Sequence, residues 1–159
     1  MGKRNAHAPV PQPWDASLSY NFSELTCLSF FADQLANVTF RQCRPFGLLF
    51  GYSSDFFTNE ANLTLLTATL YGTCNTPQSL EQCISIMDWM SANMDNPKVC
   101  GKDLSQSNSI VLEAKGGFDE YGMMREVGCL VNNQTNAYCR SLPFFVFSHH
   151  RLIILELDM

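Results

Sequence analysis

Seven cysteines without a single C-x-x-C pair constrain this fold more than any other feature of the chain. They are Cys27, Cys43, Cys74, Cys83, Cys100, Cys129 and Cys139. The closest two, Cys74 and Cys83, have eight residues between them, so the spacing matches neither a zinc ribbon nor a dithiol redox motif. Disulfide bonding is the remaining reading, and it belongs to oxidising compartments. Four Asn-x-Ser/Thr sequons point the same way, against about two expected by chance. They open at Asn21, Asn37, Asn62 and Asn133, and all four are N-glycosylation candidates.

The bulk numbers narrow the class further. A chain of 159 residues is one domain with room for a core, so disulfides would brace that core rather than replace it. Charged residues make up 16%, against a usual ~25%. Polarity comes instead from Ser, Thr, Asn and Gln, which suits a glycosylated exterior. A net charge of −5 argues against nucleic acid and anionic membranes as partners. Arg41 and Arg44 are the one close basic pair in the body, which is too little for a patch.

Residues 1–13 are Pro-rich and read as an extended arm. They lack the apolar stretch of a signal peptide, so a secreted chain would need one upstream; the alternative is a cytosolic protein. Residues 14–139 read as a cysteine-rich succession of about five helices, an all-α, disulfide-braced bundle with irregular termini. The spacing predicts a first helix over 28–36, then a capping box from Thr39 to Gln42 with a break at Pro45. Phe46, Leu48, Leu49 and Phe50 are expected to face inward. Ser53 or Ser54 caps a long helix to Tyr71, with Phe56, Leu63, Leu66 and Leu70 inside and Asn62 and Thr69 outside. Gly72 ends it. Thr76 and Pro77 start the next helix, whose inner stripe is Leu80, Cys83, Ile84, Met87 and Met94, and which stops at Pro97. Residues 98–108 read as loop, and 109–127 as a last helix weakened by Gly116 and Gly117. A Cys74–Cys83 bridge would close one helical hairpin, and a Cys129–Cys139 bridge would span the Asn133 loop. The partners of Cys27, Cys43 and Cys100 stay open. Residues 140–159 are apolar at both ends but split by His149, His150 and Arg151, too interrupted to span a bilayer. They read as foreign to a C-terminally truncated domain, such as a translated intron or frameshift; an authentic closing strand or helix is the alternative.

The blocks PQPWDASLSYNFSELTCLSFF, FRQCRPFGLLF, SSDFFTNEANLTLLTATLYGTC and CGKD occur in fixed order. With the stretch from Ala114 to Leu130 and the Tyr138-Cys139 pair, they resemble the fungal domain of unknown function 7729 over residues 11–139. The resemblance implies a secreted, glycosylated, cysteine-rich protein, usually with a signal peptide and often with a glycolipid anchor at the C-terminus. It implies no chemistry.

Catalysis has little to work with. His7, His149 and His150 all lie outside the helical body, so Ser-His-Asp, Cys-His and His-zinc devices are excluded there. Acid pairs remain, Glu81 with Asp88 and Asp119 with Glu120, and these read as solvated surface carboxylates. No cofactor and no metal are expected. The Met and aromatic residues (Phe30, Phe31, Met87, Trp89, Met90, Met94) read first as core. Their other reading is an apolar pocket between helices. The expected function is therefore a non-enzymatic extracellular role at a cell surface or wall, structural or interactive, with cell-wall components as partners. A carrier of a small lipid or sterol is the alternative.

Overall fold

A computed structural model describes residues 11–15, 18, 21–135 and 137–138. Among these the fold is all-α, with nine helices rather than about five. They are α1 (Leu25–Ala36), α2 (Val38–Cys43), α3 (Phe46–Tyr52), α4 (Ser54–Glu60), α5 (Leu63–Cys74), α6 (Leu80–Met94), α7 (Gly101–Ser105), α8 (Ser109–Asp119) and α9 (Tyr121–Gly128). The arm over residues 1–10, Cys139 and the tail from 140 to 159 lie outside the described residues, as does the side chain of Phe50.

The extra helices arise because asparagine and serine compete locally for backbone amides. Asn37, not Thr39, caps α2, its side chain accepting from the amides of Thr39 and Phe40. Asn62 does the same for Thr64 and Leu65, so the long helix expected after Ser53 is two, α4 and α5. The break turns the inner stripe. Leu63 is 63% exposed, while Thr69 and Thr73 are buried and hydrogen-bonded. The helix runs past Gly72 to Cys74. Ser79, rather than Thr76, opens α6 through a capping box with Gln82. The expected loop over 98–108 contains α7, and the expected last helix divides at Asp119 and Glu120 into α8 and α9.

Helix α6 is the spine. Cys83, Met87, Met90 and Met94 are fully buried along one stripe, packed with Phe31, Phe40, Val111, Ala114, Phe118 and Tyr121. Phe46, Leu49, Phe56 and Leu70 form a second, smaller cluster. Trp14 staples the N-terminal segment onto the body. Its indole stacks on Tyr52 at 4.8 Å and meets the edge of Phe31 at 5.5 Å. That packing holds a tryptophan at φ 55°, a conformation a bulky residue rarely adopts.

The two glycines of α8 do opposite things. A Cβ on Gly117 would overlap Leu48 Cδ2, and Gly47 also approaches the Gly117 backbone, so the missing side chain lets α3 seat against α8. Nothing lies within 4 Å of a Cβ on Gly116. Gly117→Ala is expected to destabilise by about 1–3 kcal/mol despite its better helix propensity. Gly116→Ala should instead stabilise by about 0.5–1 kcal/mol. Urea unfolding of the two variants checks the pair, and equal effects would contradict the close approach.

Candidate functional site

Six of the seven cysteines pair as Cys27–Cys100, Cys43–Cys83 and Cys74–Cys129. Neither the Cys74–Cys83 nor the Cys129–Cys139 expectation holds. Cys83 lies on the buried stripe of α6, facing the end of α2, while Cys74 at the end of α5 reaches Cys129 after α9. Each bridge joins a residue of α1–α5 to one from α6 onward, closing separations of 73, 40 and 55 residues. The two halves of the chain are thus sewn together three times.

A buried polar node lies between two of these bridges. The Tyr121 hydroxyl donates to the Cys43 carbonyl at 2.7 Å and accepts from Arg125 Nη1 at 2.9 Å. Arg125 Nη2 donates to the Cys74 carbonyl and to Thr76 Oγ1. Burial pushes the Tyr121 phenol up, and Arg125 partly offsets this. A cation at the C-terminal end of α5 complements its dipole. Every partner here is a structural carbonyl or hydroxyl.

Asp15 ties the N-terminal segment to α4. It accepts from Ser53 Oγ at 2.5 Å, from the Ser54 amide and hydroxyl, and from the Asp55 amide. Ser53 Oγ in turn accepts from the Phe56 amide. Burial pushes the Asp15 carboxyl upward, but the hydrogen bonds outweigh it and hold the group below its ordinary 3.8. A depressed folded pKa gives stability that is present above the unfolded value and lost as pH falls through the folded one. The destabilisation by Asp15→Asn is therefore expected to be full at pH 7 and to shrink below about pH 4. Thermal melts of both proteins from pH 7 to pH 2 check this; a difference independent of pH would count against it.

All four sequon asparagines are exposed. Asn37 and Asn62 are the helix N-caps described above, and the cap engages Oδ1 rather than Nδ2, the atom that carries a glycan. Asn133 sits in a turn closed by the Val131–Tyr138 bridge, where neighbouring Asn132 accepts from the amides of Gln134 and Thr135. The Asn21 carbonyl accepts from Asn108 Nδ2. The helical period expected Asn62 on a helix face, whereas it is the N-cap of α5; an asparagine ahead of an apolar run is the local signal for a cap.

The acid pairs do not converge on a cleft: Glu81, Asp88, Asp119 and Glu120 are all exposed, and Asp119 is paired with Lys115 at 3.3 Å. Among the described residues Asp103 is the buried carboxylate, and it accepts from backbone and amide donors. No group of His, Cys, Asp and Glu among the described residues would hold a metal ion, and His7, His149 and His150 lie outside them. A groove of about 460 Å³ runs along the outer side of α5, lined by Leu63, Thr64, Thr67, Ala68 and Tyr71. It is the face of one helix open to solvent, not a chamber between helices. Among the described residues no helix is long and apolar enough to cross a membrane.

These features define a class: a disulfide-braced helical domain whose three bridges point to an oxidising environment. The family model described as Domain of unknown function (DUF7729) matches residues 9–142, and the chain belongs to that family. No curated protein and no solved structure matches it.

Proposed function

We propose that this domain is a non-catalytic extracellular module acting at a cell surface or wall, fungal by its family resemblance. Its role is to present a rigid, glycosylated helical surface to wall components. The observation that carries the reading is the combination of three long-range disulfides with four exposed sequon asparagines. Cross-links of this kind persist where thiols are oxidised, which is also where sequons are used. The carrier reading draws less support, because an apolar ligand wants an enclosed pocket and the α5 groove is open.

The test is expression of the full chain behind a supplied signal peptide in a eukaryotic secretory host. Intact mass is measured before and after glycosidase and reductant. Secreted protein with glycans and three bridges supports the reading. Retained, unglycosylated protein with free thiols overturns it.

A further inference from the structure

The outer face of α5 presents two large apolar side chains to solvent. Leu63 and Tyr71 are each 63% exposed, and together with Thr67 and Ala68 they line the groove. They sit eight residues apart, about 12 Å along the helix. The exposed leucine and the exposed aromatic stand at the two ends of one helix face, joined by Thr67 between them. Asn62 opens a sequon at the N-terminal end of α5, one residue before Leu63 and two before Thr64, both of which line the groove, and its side chain is held in place by the α5 cap. Side chains on a helix lean toward its N-terminus, so Leu63, Thr67 and Tyr71 lean toward the end where Asn62 sits.

We infer that an N-glycan on Asn62 lies along the outer face of α5 and covers it, its first N-acetylglucosamines seated over Leu63, Thr67 and Tyr71. The C–H faces of these sugars pack on apolar side chains and on the negative face of an aromatic ring. Their hydroxyl and acetamido groups stay in water beside Thr64 and Thr67. The cap matters here: with Oδ1 bonded to two backbone amides, the glycan leaves a rigid stem rather than a freely turning one, so less ordering is lost when it lies down. The inference rests on the secreted, glycosylated reading above.

The experiment uses the full chain from the secretory host. Asn62→Gln is avoided, because it removes the helix cap along with the glycan. Thr64→Val removes the sequon hydroxyl while keeping the side-chain shape and the capped amide; Thr64→Ser keeps the sequon. Peptide mass mapping reads occupancy at Asn62. Thermal melts and the fluorescence of a dye for exposed apolar surface read the cover. Thr64→Val is expected to lose the Asn62 glycan, lower the melting temperature by about 2–4 °C and raise the dye signal, with Thr64→Ser like wild type. In a Leu63→Ser, Tyr71→Ser background the same Thr64→Val change should cost less than about 1 °C. An Asn62 that stays bare while other sequons are filled overturns the inference and leaves the extracellular reading standing. An occupied Asn62 whose loss has no effect, or an equal effect in both backgrounds, also overturns it. If no sequon is filled, the extracellular reading itself falls and takes the inference with it.

Discussion

Replacing Cys43 and Cys83 together by alanine is expected to lower stability by about 3–5 kcal/mol, or roughly 10 °C in melting temperature. The two sulfurs are fully buried in the larger core cluster, among Phe40, Met87 and Tyr121. Their bridge closes a separation of 40 residues, which on chain entropy alone is worth about 4 kcal/mol. Losing the sulfurs adds a packing defect at a site where the surrounding helices have little freedom to collapse. Helix α2 has six residues, too few to persist without tertiary support, so its hold on α6 depends heavily on this bridge and on Phe40. The measurement is a thermal melt of the secreted double variant beside wild type. A shift below about 3 °C would mean that the core, not the bridge, holds α2 in place.

Those two cysteines also separate what local pattern encodes from what it does not. The residues of the α6 stripe were legible because a period of 3.6 picks out Cys83, Met87 and Met94 whatever they pack against. Their partners were not. Pairing the nearest cysteines assumes that consecutive helices are hairpin neighbours. Here the chain instead lays α8 and α9 against elements far upstream, α9 on α3 and α5, and α8 on α3 as well as α6. Nothing in local spacing encodes that return. The helix breaks failed for a different reason. Period and propensity described the run from Ser54 to Tyr71 as one helix, yet a single asparagine, Asn62, has a stronger preference for capping than for a helix interior. That competition moved Leu63 from the expected core to the surface and Thr69 in the opposite direction. The glycine pair in α8 was read only through propensity; the contact between Gly117 and Leu48 is a tertiary fact.

Asp103→Ala is expected to cost about 3–4 kcal/mol, although Asp103 is in no ion pair among the described residues. The side chain is completely buried at the start of α7. Its oxygens accept from the Ser23 amide at 2.7 Å, the Glu24 amide at 3.3 Å and Asn108 Nδ2 at 2.8 Å. Glu24 is the N-cap residue of α1 and makes no side-chain cap of its own, so Asp103 serves the amides at that helix entrance from across the fold. Asn108 caps α8, and its amide also donates to the Asn21 carbonyl. One carboxylate therefore fixes the start of α1, the α7–α8 turn and the loop that carries the Asn21 sequon. Alanine leaves the Ser23 and Glu24 amides without that acceptor, at about 1–3 kcal/mol each, while Asn108 Nδ2 keeps the Asn21 carbonyl. Asparagine keeps one acceptor oxygen but turns an N–H₂ toward other donors, so Asp103→Asn should fall between wild type and alanine. Urea unfolding gives the order, and amide hydrogen exchange gives the place: Ser23 and Glu24 should lose protection first, ahead of α6. Alanine and asparagine variants both within about 0.5 kcal/mol of wild type would show that Cys27–Cys100, a few residues away on each side, already holds this corner without the carboxylate.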